Sequence, residues 1–206
     1  MTAKAGKALL DRQARRYLRM SGKEFVRRRS PSSFPLPGKT PHQAVKDCLA
    51  PLSLAVSCLT HDVLVASGSG LDKLESLALN KGSPSRLRGR RLYITVKMLY
   101  RVTEAVGERG PWKVSTAAYF YAFHDEKQRE ILAFHWHPET EGQKEPHLHF
   151  YGASNIMTLL AKVHLPTGRI TLEQFLRFLI VELDVKPLRN DWERVLDGTE
   201  RKHLRY

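Results

Sequence analysis

The strongest constraint in this chain is a change of hydrophobic period at residue 92. Leu92, Ile94, Val96, Met98, Tyr100 and Val102 alternate with Tyr93, Thr95, Lys97, Leu99 and Arg101. A period of two places one set of side chains on each face of a strand. "ERGPW" turns the chain, and Trp112, Val114, Thr116, Ala118, Phe120 and Ala122 then alternate with Lys113, Ser115, Ala117, Tyr119 and Tyr121. "HDEKQRE" is a second turn, and residues 130–137 and 146–151 supply two further short strands. Strands this closely spaced predict an antiparallel meander of about four.

Helical spacing brackets the sheet. Thr40 is placed to cap a helix, with Pro41 at the first helical position and Gln43 placed to complete a capping box. Val45, Cys48, Leu49, Leu52, Val56 and Leu59 follow with helical spacing, and Pro51 is expected to kink or restart the helix. Leu71, Leu74, Leu77 and Ala78 suggest a second short helix stopping at Gly82. After the sheet, Thr171 and Gln174 form a capping box before the stripe Leu172, Phe175, Leu176, Leu179, Ile180 and Leu183. "RNDWERVLDG" reads as a last short helix ending at Gly198. The expected class is α+β, an antiparallel sheet with helices on one face. One domain is expected over 39–206, with helices in 39–82, the sheet in 92–151 and C-terminal helices in 171–197. Ahead of it, residues 1–38 read as a basic helical arm and a linker, "SPSSFPLPGKTP".

Charge is divided unevenly. Residues 1–113 hold 22 Lys and Arg against 8 Asp and Glu, whereas residues 114–206 hold 12 against 13. A positive half of this kind is the footprint of a polyanion binder, because each cation set against a phosphate releases counterions. RNA or DNA is the expected partner. Arg27, Arg28 and Arg29 in the arm, and Lys81, Arg86, Arg88, Arg90 and Arg91 in "NKGSPSRLRGRR", are the candidate phosphate contacts. No apolar run approaches the roughly 18 residues that cross a bilayer, and no signal-peptide core is present, so a cytoplasmic protein without membrane contact is expected. Cys48 and Cys58 are too few for a disulfide framework and read as reduced core residues.

The chemistry is concentrated in "AFHWHPETEGQKEPHLHFY", residues 133–151. Alternation puts His135 and His137 on one face of a strand, and His147 and His149 on one face of the next. Leu132, Phe134, Trp136, Leu148 and Phe150 lie on the opposite face and need a core, so the histidines should point to the more accessible side. A hairpin pairing His137 with His147 and His135 with His149 would bring all four imidazoles together. The same face is expected to carry Tyr93, Lys97 and Arg101, then Lys113, Ser115, Tyr119 and Tyr121. Glu139, Glu141 and Glu145 in the loop can orient an imidazole. His42, His61, His124, His164 and His203 stand alone in sequence.

Two physical uses fit such a cluster. Paired His-x-His can ligate a divalent transition metal such as zinc, or the imidazoles can act as acid and base. In either case Lys97, Arg101 and Tyr119 would contact phosphate or the charge of the transition state.

"FHWHPE" and "PHLHFY", followed by a capped amphipathic helix, resemble the TumE-type toxin proteins of bacterial toxin–antitoxin modules. The resemblance covers residues 92–183 and rests on His137, Pro138, Pro146, His147 and His149. It implies a compact antiparallel sheet, action on RNA and a protein antitoxin or regulatory partner. The length, the basic N-terminal half and the extra His135 depart from that pattern. The function expected is a nucleic-acid-binding protein with a histidine site, a ribonuclease-like phosphodiesterase of toxin–antitoxin or mobile-element type. The alternative is a non-enzymatic nucleic-acid-binding or regulatory module with a structural metal.

Overall fold

A computed structural model describes residues 38–89, 91–105, 110–139, 143–151 and 165–204. The expected arm and linker, with Arg27, Arg28 and Arg29, lie outside the described residues except for Gly38, as do Arg90, Glu141 and His164.

Helix α1, Pro41–Val56, starts as its sequence dictates: the Thr40 hydroxyl accepts from the Gln43 N–H at 3.1 Å. The capping box is only half made, because the Gln43 side chain donates instead to Asp47 at 2.6 Å. The helix runs through Pro51 as one element, without a restart. Next come β1 (Leu64–Ala66), β2 (Glu75–Leu79), a 3-10 turn at Asn80–Gly82, β3 (Ser85–Arg86), β4 (Tyr93–Glu104), β5 (Trp112–His124), β6 (Glu130–Trp136), β7 (His147–Phe150) and β8 (Leu165–Pro166). Helices α2, Leu172–Val181, and α3, Trp192–Leu204, close the described chain.

The architecture is α+β, and the expectation of about four strands is too low. The sheet has eight, ordered β1-β2-β4-β5-β6-β7-β8, with β3 also paired to β4. Every strand pairing is antiparallel. The helix expected over 71–79 is in fact strand β2. Leu77 and Leu79 are buried at a spacing of two, while Leu71 and Leu74, which supplied the helical spacing, are exposed. Pairing along the open edge of β4 outweighs a weak local period. The last helix likewise continues past Gly198 to Leu204.

Helices α1 and α2 cover one face of the sheet, and α3 packs against both of them. Thr171 and Gln174 make both bonds of the capping box, at 3.1 and 3.0 Å, and seat α2 so that Phe175 lies fully buried. The Phe175 ring stacks on Tyr121 at 5.6 Å and meets Phe134 edge-on at 6.1 Å. Ile94, Val96, Met98, Val102, Leu132 and Trp136 complete the sheet's share of the core, facing Leu52, Ala55, Leu172, Leu176, Leu179 and Leu196.

A bulge in β5 decides which residues join that core. Leu99 is opposite Ala118, but Tyr100 is opposite Thr116, so Ala117 is an extra residue. One inserted residue reverses the alternation beyond it. Val114 faces the helices before the bulge, and Tyr119, Tyr121 and Phe123 do so after it. Phe120, Ala118 and Ala122 are thereby turned to the opposite face.

Because Phe175 sits in a closed aromatic cluster, Phe175→Ala is expected to lower unfolding free energy by about 3–5 kcal/mol, read as a shifted urea midpoint at unchanged m-value.

Candidate metal centre on the sheet face

Directly opposed residues share a face, so the register itself draws the site. Ala78 is opposite Lys97, Lys97 opposite Phe120, Phe120 opposite His135, and His135 opposite His147. Beside this row runs Thr95, Ala122, Ala133 and His149. The histidines do point away from Leu132, Phe134 and Trp136, which are buried under the helices.

The hairpin register differs by two residues from the one expected. His135 faces His147, and His149 faces Ala133. His135 thus becomes the centre of the cluster, with ring centroids 5.5 Å from His147 and 4.8 Å from His149. His137 lies beyond the last paired position, 5.3 Å from the His147 ring and 6.0 Å from His135. The ligating atoms of His135, His147 and His149 all lie within 4.8 Å of one another.

The site is less open than expected. His147 is fully buried, and it is flanked by His135 on one side and Pro166 of β8 on the other. His135, His137 and His149 are half-buried. Exposure increases toward β4, where Lys97 is exposed. A contact 2.7 Å from His147 Nδ1 to the Glu145 backbone carbonyl requires the ring to donate there. In the neutral ring this puts the proton on Nδ1 and makes Nε2 the nitrogen able to ligate a metal.

The expected companions divide. Lys97 stays in the histidine row. Arg101 shares the face but is committed elsewhere, to the Glu139 carboxylate at 3.3 Å and the Asp72 carbonyl at 3.1 Å. Glu139 is thus paired with Arg101 across the sheet. Ser115, opposite Arg101, and Lys113, opposite Thr103, keep the expected face. Tyr119 and Tyr121 do not, because the bulge turns them to the core. Tyr119 stacks on Tyr121 at 4.8 Å, its hydroxyl accepts from the Ile170 N–H at 3.2 Å, and burial pushes its phenol pKa up. It cannot serve as a phosphate contact on the histidine face. Lys81, Arg86, Arg88 and Arg91 are exposed, on a loop that pairs with β4 only through Ser85 and Arg86.

Several neighbours of the site carried no sequence signal. Phe120 meets His135 at 4.7 Å and 83°, and only the bulge puts it there. Tyr151 stacks on His149 at 5.7 Å. The Arg169 guanidinium lies 3.5 Å from the centre of the Trp136 ring, within electrostatic reach of Glu145. His124 bonds Thr95 at 2.9 Å, and burial pulls its pKa below the usual imidazole value.

Glu130 is the most perturbed carboxyl near these residues. Burial raises its pKa to about 6, and its Oε1 has no hydrogen-bond partner among the described residues. A carboxyl whose folded pKa lies above its unfolded value binds more protons when folded. Its contribution is thus favourable in acid and is lost as pH rises from about 4.5 through about 6. Glu130→Gln is therefore expected to exceed the parent in stability above pH 6 by about 1 kcal/mol, after allowance for solvent screening. The difference should vanish below about pH 4.5 in paired urea titrations. Comparing at equal pH cancels the opposite contribution of His124.

Compared with known proteins, the chain matches no family model, no curated protein and no solved structure.

Proposed function

We propose that this chain holds a divalent transition metal on His135, His147 and His149 and uses it to hydrolyse phosphodiester bonds in nucleic acid. The gathering of three ligating nitrogens within 4.8 Å on paired strands carries this reading. Zinc–imidazole bonds of about 2.0–2.1 Å at tetrahedral angles place nitrogens roughly 3.3 Å apart, so the rings need draw in by no more than about 1.5 Å. An all-imidazole set suits zinc or a similar transition metal, whereas calcium and magnesium take oxygen ligands. The Nδ1–H bond from His147 to a carbonyl is the outer contact such ligands usually make.

Three protein ligands leave a position for water or substrate, and an ion held there supplies Lewis-acid polarisation and activates water near neutral pH. Lys97, two strands from His135 on the same face, is placed to hold a neighbouring phosphate. The positive charge of residues 1–113 supports a polyanionic substrate. The burial of His147 supports a second reading, in which His137 completes a closed structural site in a non-enzymatic binding module.

After reconstitution with zinc or cobalt and desalting, the full chain is expected to retain one equivalent of ion. His147→Ala/His149→Ala, with unchanged circular dichroism, should lose it. The loaded protein should hydrolyse bis(p-nitrophenyl) phosphate and the double variant should not. Absence of a stoichiometric ion, or full turnover by the folded double variant, sinks the proposal. A bound ion without turnover, together with a large loss of thermal stability on chelation, selects the structural-metal reading.

A further inference from the structure

Resting on the metal-dependent reading of this site, we infer that its substrate is single-stranded nucleic acid, laid across the sheet along the row Lys97, Phe120, His135, with a base stacked on Phe120. Neighbouring strands lie about 4.8 Å apart, so Lys97 and His135 stand about 10 Å apart with the phenyl ring between them. A cation, an aromatic platform and a ligand cluster thus lie in line on one surface.

Accessibility along the row has a direction. Lys97 is exposed, Phe120 and His135 are half-buried, and His147 is fully buried. A ligand therefore meets Lys97 first and His147 last. The residues two before and two after Phe120 on this face are Ala118 and Ala122, both small. His135 meets the ring nearly at right angles, with centroids 4.7 Å apart.

The approach is basic. The turn Asn80–Gly82 lies against Lys97, since a Cβ added at Gly82 would stand 3.3 Å from Lys97 Cε. That brings exposed Lys81 close to the start of the row. Exposed Arg86, opposite Tyr93, lies further along the same edge. Arg101, on the same face, is paired with Glu139.

These features favour an unpaired strand over a duplex. In a duplex the base faces are hidden against one another, and a sheet surface reaches phosphates and base edges but no stacking face. Stacking on the half-buried Phe120 ring needs a base that has been splayed out.

The test uses the full chain with chelator present, so that binding is read without turnover. Fluorescence anisotropy is measured with labelled oligothymidylate, oligouridylate, a duplex of equal length and an abasic strand. Phe120→Leu is expected to weaken binding of both unpaired strands by about tenfold, with Phe120→Tyr restoring it and abasic binding unaffected by either change. Lys97→Ala should reduce the slope of log affinity against log salt by about 0.7. A difference between the two oligonucleotides assigns the sugar. Equal single-strand affinity in the parent and Phe120→Leu overturns the inference, as does tighter duplex binding with the same dependence on Phe120.

Cobalt spectra and bis(p-nitrophenyl) phosphate hydrolysis of the same proteins separate the two ideas. An intact metal centre without Phe120-dependent strand binding removes the platform alone. Phe120-dependent binding by a protein that takes no ion removes the catalytic reading and leaves the platform standing.

Discussion

Between Leu99 and Tyr100 the ladder to β5 slips by one residue, and Ala117 takes up the difference. Strand β5 has thirteen residues, and the slip sends the two parts of its side-chain pattern to opposite faces. Without it, Tyr121 would point away from α2 and lose its stack on Phe175, and Tyr119 would leave Ile170 and Trp136. Such aromatic pairs contribute roughly 0.5–1.5 kcal/mol each beyond the area they bury. In return, the bulge delivers Phe120 to the histidines. The same extra residue thus builds the helix-covered core and the surface of the candidate site.

Much of the fold was legible in the sequence, and the failures are instructive. The two long alternating runs, as strands, and the capping box at Thr171 and Gln174 carry strong local physics, and all are present. Strand β2 escapes local reading because Leu71, Leu74 and Leu77 mimic a helical stripe, while its partners β1 and β4 are remote in sequence, with Leu77 opposite Met98. The bulge has no marker at all: Ala117 is neither glycine nor flanked by one. Alternation alone therefore gave the right faces up to Thr116 and the wrong ones from Ala118 onward. The histidine face was readable because five large apolar residues on the other side leave no choice. The register was not, since a slip of two preserves every face and leaves the hydrophobic pattern satisfied.

The cluster is braced from both faces of the sheet. His147 is enclosed by His135, Pro166 and the Glu145 carbonyl on its own side. On the other side, Trp136, between His135 and His137 in sequence, is covered by the Arg169 guanidinium. The Tyr119 hydroxyl holds the backbone one residue further on, at Ile170. A planar guanidinium on an indole gains cation–π attraction as well as contact area, so the segment leading into α2 also braces the end of the histidine strand. Packing that stabilises the domain and rigidity at the site have a common source here.

The proline in β8 has a consequence for how copies of the protein meet. Among the described strands, both outer members of the sheet are short: three residues in β1 and two in β8, the latter ending in Pro166. A proline on an outer strand offers no N–H to an incoming chain, and two residues are too few to template a new ladder. The sheet therefore grows inward by pairing but resists growing outward by recruiting a neighbour. That protection falls beside His147, where an open strand edge would invite non-native pairing next to the candidate site.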